Sequence, residues 1–375
     1  MIVYIMMTLI SIFFISLAYY FERNREIRYA YNNEKFIINK KIDYRYILCL
    51  VLAFLPLFLV SALRFDVGTD YYYVYTPHFY DIYNGTLNVY GEKPFIYLNV
   101  LLTKITTSSQ ILFILTSAIY VTFMALAIVK MSSNYLVSIL VLVIGGFFFS
   151  SMNNVRQNVA VAIIAYAYYY AMNKKYIKMI LLIIFASCFH IVAIGFIPLY
   201  LILSADKFRN IKNPIYLYIA ILLLIIIALP ISRIIFKNTK YIRYLEVDEG
   251  GRPVYTYIYQ YTLIFIILLI LSPLLEHNKY YQSLMYLLTF TLGVSLLSYY
   301  TRNTEATIRI TCYSNWSLIL LVPSILEINN YKYKCIKYVI VSTILMIMFS
   351  NTYQMIWYEG CFEVFPYQSI FLKRA

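Results

Sequence analysis

Apolar runs long enough to cross a bilayer recur along the whole chain, and nothing else in it restricts the fold as strongly. YILCLVLAFLPLFLVSA at 46–62 is one such run, and QILFILTSAIYVTFMALAIVK at 110–130 is another. About 20 such residues make one helical crossing, because the bilayer core holds no water to satisfy open backbone groups. With 62% of its residues hydrophobic, 13% charged and a mean hydropathy of +0.71, the chain cannot be wetted all round. The expected fold is all-α: a single integral membrane domain over residues 1–375, a polytopic transmembrane helical bundle of about 10–12 membrane segments. The run from Met1 to Phe21 has no basic residue before it and no small-residue cleavage site, so it reads as a retained span.

The formal net charge of +14 would suggest nucleic acid in a water-soluble protein, but here the cations gather in particular loops, as membrane orientation requires. No nucleic-acid role is read from it. The five cysteines show no metal-binding spacing and read as free thiols. Residues 22–45 carry seven cations (Arg23, Arg25, Arg28, Lys35, Lys40, Lys41 and Arg45), which marks a cytoplasmic loop by the positive-inside rule. The next span, near 46–62, then delivers Arg64 to the outer face. Residues 64–109 become an extracytoplasmic loop, whose apolar piece near 94–106 is too short to span and reads as re-entrant. Further spans near 110–130, 135–151, 154–173, 214–236, 255–272, 281–300, 310–326 and 338–356 place the loops 237–254 and 301–309 and the tail 357–375 outside.

The stretch 176–203 has lysines or arginines at both ends. If both ends are cytoplasmic, the chain enters and returns, with a bend near His190; one long tilted helix is the competing reading.

This topology collects polar groups at the outer face: Arg64 with Asp66 and Asp70; Glu92; SSMNNVRQN around Arg156; and TRNTEATIR with Arg302, Glu305 and Arg309. Ionisable groups in membrane segments are costly and usually line a wet cavity. Arg156 falls in the first turn of its span, where free N–H groups already favour an anion, and its planar fork can grip phosphate oxygens. Arg302, Glu305 and Arg309 share a helical face, either as a self-satisfied ladder or, for the deeper Arg309, as a second phosphate ligand. Arg64 is a third cation candidate, or else a capping residue that pins the loop. His190 is a core histidine or a proton acceptor suited to neutral pH; His78 and His277 have less to recommend them. The chain has no Walker loop, no GxGxxG, no HExxH and no DxD, so no metal or cofactor is expected and nucleotide-driven chemistry is disfavoured.

Several of these stretches together resemble the EpsG family of membrane polysaccharide polymerases, relatives in role of Wzy-type O-antigen polymerases. The matching elements are ALRFDVGTDYYYVY (62–75), GEKPFIYLN (91–99), NNVRQNVAVAI (153–163), KKYIKMILLIIFASCFHIVAIGFIPLY (174–200) and the later ATIRITCYSNW. The resemblance implies an enzyme of the bacterial cytoplasmic membrane that joins polyprenyl-diphosphate-linked oligosaccharide repeats at the outer face, for exopolysaccharide, capsule or O-antigen. It implies Arg64, Arg156 and Arg309 on the diphosphate and His190 as proton acceptor, with Asp70 or Glu92 the alternative base. Tyr71, Tyr72 and Tyr75 would stack on sugar rings. A flippase and chain-length regulators are the expected protein partners. A transporter of lipid-linked oligosaccharide, or a related ligase or glycosyltransferase, is the alternative reading.

Overall fold

Long stretches of Leu, Ile, Phe and Ala satisfy their own backbone only as helices, and helices are what the chain forms. The computed structural model describes residues 1–31, 43–86, 91–209, 211, 213–236, 255–275, 277–301, 304–329 and 334–371, with side chains for all of these but 23–31, 209, 228–236, 255–257, 298–301 and 304–308. The predicted loop 237–254, Arg302 and the side chain of Glu305 lie outside the described residues.

The helices are α1 (Ile2–Tyr31), α2 (Tyr44–Ala62), α3 (Thr76–Tyr83), α4 (Lys93–Thr103), α5 (Gln110–Met131), α6 (Tyr135–Ile144), α7 (Phe147–Asn153), α8 (Val155–Met172), α9 (Tyr176–Ser187), α10 (Phe196–Ser204), α11 (Asp206–Arg209), α12 (Ile215–Phe236), α13 (Tyr255–Leu275), α14 (Tyr281–Thr301), α15 (Thr304–Asn315), α16 (Leu318–Ser324) and α17 (Ile336–Tyr353). Among the described residues there is no strand, only an isolated bridge between Arg64 and Ser369. Among the described residues, five segments are long and apolar enough to cross a bilayer: Ile2–Glu22, Tyr44–Ala62, Gln110–Met131, Ile258–Leu275 and Ile336–Tyr358. The pair α6 and α7, bent by 51°, makes a sixth. Of the other expected segments, α12 and α14 are continuous helices of 22 and 21 residues, while those at 176–203 and 310–326 are broken. The run expected to cross at 310–326 is split between α15 and α16, with Trp316 and Ser317 in the turn between them.

The bend between α6 and α7 has a local cause. Gly146 sits at φ +82, and a Cβ there would lie 3.3 Å from Thr352 Oγ1. Only glycine takes that conformation cheaply so close to a neighbouring helix. One residue after α7 ends, α8 begins and runs through the middle of the bundle. Val159, Ala160, Val161, Ala162, Ile163, Ile164 and Ala165 are all buried in succession, so the middle of α8 is enclosed on every side, as its alanines allow, while Tyr166, Tyr169 and Tyr170 nearer its end are half-buried.

The segment 176–203 is a hairpin. Lys174 Nζ, before α9, lies 2.7 Å from Asp206 Oδ2, after α10, so both ends stand together and a single long helix is ruled out. His190 sits between α9 and a 3₁₀ turn at Ile191–Gly195, in extended backbone at φ −151, ψ 115. The 12 residues of α9 rise about 18 Å at 1.5 Å each, short of a hydrocarbon core of about 30 Å.

Contacts sort the loops into two ends. At one end the C-terminal tail is tied to the start of α1 and to the loop after α2: Tyr4 donates to the Val364 carbonyl (2.6 Å), Phe65 N–H to Gln368 O (3.0 Å) and Ile370 N–H to Leu63 O (3.0 Å). At the other end are Lys174 with Asp206, Lys279 with Asn173, and His277 with Glu327.

Candidate active site

Two glycines bring the polar loops against the helices. Gly68, at φ +100, gives its carbonyl to the N–H of Tyr71 (2.9 Å), and a Cβ there would lie 2.7 Å from the Met152 carbonyl oxygen. The loop after α2 is thus pressed onto the end of α7, where Asn153 Oδ1 accepts the Asp70 N–H (2.9 Å). Gly91, at φ +154, leaves room for Arg156, whose Nη1 would stand 2.9 Å from an added Cβ.

Arg156, in the first turn of α8, is the centre of the group. Its Nη1 donates to Glu92 Oε2 at 2.5 Å, its guanidinium lies 5.5 Å from the centre of the Phe95 ring, and its backbone N–H donates to the Tyr75 hydroxyl (3.2 Å). The other oxygen of Glu92 accepts the backbone N–H of Ile191 (3.3 Å), at the apex of the hairpin. The neighbouring His190 ring is 2.7 Å from the Tyr313 hydroxyl through Nδ1. Gln157, beside Arg156, donates its side-chain amide to the carbonyl of Arg309, which ties α8 to α15. Through that bond the backbone of Arg309 is brought beside the start of α8. Residues far apart in the chain are thus brought together: half-buried Glu92, Arg156 and His190, the buried Tyr313, and Arg309 through its backbone. His78, on α3 outside the spans, faces the same group; burial and then the Arg156 charge hold its imidazole below the usual histidine range.

Three expected ligands have other work. Arg64 is buried at 1% exposure, with Nη1 donating to the Ser61 carbonyl (2.6 Å) and Nη2 to the Met152 carbonyl (3.2 Å), while its guanidinium stacks on Phe113 (4.7 Å). Engaged in this way, it pins the loop and is not presented to a ligand. Tyr71 is also buried, stacked on Phe113 with ring centres 4.2 Å apart, and its hydroxyl donates to Gln110 (3.3 Å). Tyr75 is buried against Arg156. Neither tyrosine is a sugar platform. Of the three named, Tyr72 is exposed (63%), with Tyr73 beside it (68%).

The sequence reading missed Tyr313, Phe95 and Gly91. Tyr313 stands four residues after Arg309, on the same helical face, a spacing that could have disclosed it. The roles of Phe95 and Gly91 depend on their lying against Arg156 of α8, far away in the chain, which no periodicity reports.

A multi-pass helical membrane protein whose long-range fold assembles two arginines, a carboxylate and an imidazole is the class defined by this geometry. Within that class, the chain belongs to the EpsG family, whose sequence profile matches residues 47–369. No curated protein sequence and no solved structure matches the chain significantly.

Proposed function

We propose that the protein is a polysaccharide polymerase of the cytoplasmic membrane that joins polyprenyl-diphosphate-linked oligosaccharide repeats on the outer side. Membership of the EpsG family supports polymerisation of a lipid-linked oligosaccharide. The observation that supports the chemistry is the convergence of Arg156, Glu92 and the hairpin apex with His190 at the start of α8, to which Gln157 ties the backbone of Arg309. In glycosyl transfer of this kind an acceptor hydroxyl attacks the anomeric carbon. The bond to the diphosphate breaks, and its electron pair stays on the phosphate oxygen.

The departing diphosphate gains charge, and preorganised guanidinium donors and a helix N-terminus stabilise it most in the transition state. Arg156 and Arg309 have this role. The proton of the attacking hydroxyl goes to His190, Asp70 or Glu92, and exposed Tyr72 offers a face for sugar. The outward direction rests on sequence charge: residues 22–45 carry seven cations, a density that the positive-inside rule assigns to the cytoplasm, and the span that follows then brings Arg64 to the outer side.

The test is reconstitution. Purified protein in liposomes, given lipid-linked repeats without nucleotide, should release polyprenyl diphosphate and form glycan longer than one repeat. Translocation of intact repeats without new glycosidic bonds would replace this reading with a transporter. That second reading draws on the broken α6–α7 pair and the hairpin, since transporters place substrate at interrupted helices.

A further inference from the structure

The contact between Tyr313 and His190 determines which ring nitrogen carries a proton. Tyr313 is buried at 1% exposure, its ring stacked on Phe196 with centres 5.3 Å apart, so its hydroxyl is held in place. A phenol has one proton to donate, and a neutral imidazole has one donor nitrogen and one acceptor nitrogen. Were Nδ1 the donor, the Tyr313 O–H would need a different acceptor, and among the described residues Nδ1 is the only group shown within its reach. A buried hydroxyl left without an acceptor is strongly disfavoured. The phenol proton therefore points at Nδ1, and the ring proton sits on Nε2.

We infer that Tyr313 holds His190 in the Nε2-protonated tautomer, so that this ring is a hydrogen-bond donor to the diphosphate and not the base that deprotonates the acceptor hydroxyl. This deepens the polymerase reading and rests on it. In the reaction the hydroxyl proton passes to a carboxylate, Asp70 or Glu92. The sugar–phosphate bond breaks with its electron pair on oxygen, and the Nε2 proton stays on His190 while bonded to that oxygen. Arg156 and Arg309 are then joined by a neutral third donor. Tyr313 is a positioning residue, acting through the ring.

Glutamine separates the two roles, because its amide can donate near the place of Nε2 but cannot take a proton at neutral pH. If His190 donates, His190→Gln keeps the polymerisation rate within about tenfold of wild type, while His190→Ala loses about 10²-fold or more. Tyr313→Phe lowers kcat about three- to tenfold with little change in KM, and adds nothing in the His190→Gln background, where there is no tautomer to choose. Folded His190→Gln as inactive as His190→Ala overturns the inference. A second measurement needs no turnover. The chain has three histidines, so ¹⁵N-histidine spectra of a His78→Asn/His277→Asn variant report His190 alone. Protonated Nε2 and bare Nδ1 are expected, with Nδ1 gaining the proton in part when Tyr313→Phe is added; a ring protonated on Nδ1 in the presence of Tyr313 overturns the inference. Wild-type protein that forms no polymer would sink the polymerase reading, while the spectra would still decide the tautomer.

Discussion

Replacing Arg156 with alanine should separate what the guanidinium does for the fold from what it does for the reaction. The Arg156 and Glu92 side chains are 13% and 17% exposed and 2.5 Å apart. Exposed ion pairs contribute about 0–1 kcal/mol and breaking a buried one costs about 3–5 kcal/mol, so this nearly buried pair falls at about 2–3 kcal/mol. Most of that cost is the Glu92 carboxylate left without its cation. For a protein of this size the melting temperature in detergent should fall by roughly 4 °C. Adding Glu92→Gln removes the stranded charge and should restore about half of the loss.

The rate should behave otherwise. Loss of one preorganised donor to a developing anion costs about 10²–10³-fold in turnover, and Glu92→Gln cannot return it. Melting curves and polymer formation from lipid-linked repeat, measured on the single and double variants, check both halves. The reasoning is refuted if folded Arg156→Ala polymerises within about threefold of wild type, or if the double variant regains its rate along with its stability.

Arg64→Ala should leave the Ser61 and Met152 carbonyls without their donor, at about 1–3 kcal/mol for each, seen as a lower melting temperature, while the surviving folded protein keeps its KM for lipid-linked repeat; a stable variant with raised KM would return Arg64 to the site. Gly68→Ala should expel the loop from the Met152 carbonyl and cost about 1–3 kcal/mol in backbone strain alone, read as reduced folded yield. Lys174→Cys/Asp206→Cys should be bridged by a bifunctional thiol reagent whose arm matches the reach of the lysine side chain, since Lys174 and Asp206 meet through their side-chain ends, and failure of arms of every short length to bridge them would reject the hairpin. The depressed pKa of His78 means the unfolded chain binds its proton more readily. Stability should therefore be full above the ordinary histidine range and decline as pH falls through it, and His78→Gln should flatten that part of the melting profile.

Much was legible from residue order, because a membrane imposes one-dimensional rules. The helical class follows from run length, since open backbone cannot be left in hydrocarbon. The hairpin at 176–203 follows from cations at both of its ends. Arg156, Glu92 and His190 were picked out because ionisable side chains next to apolar runs are expensive unless used.

What the sequence could not contain is which of those side chains meet. Arg64 and Arg156 look alike as arginines beside apolar runs, yet Arg64 is engaged on two carbonyls and buried beneath its loop while Arg156 joins the cluster. Tyr71 and Tyr72 are adjacent, but one stacks on Phe113 and the other faces outward. The choice is made by how a loop folds back over helices about ninety residues further along the chain, where two glycines permit the approach. Such contacts depend on three-dimensional closure and side-chain packing, and so only the tertiary structure could decide them.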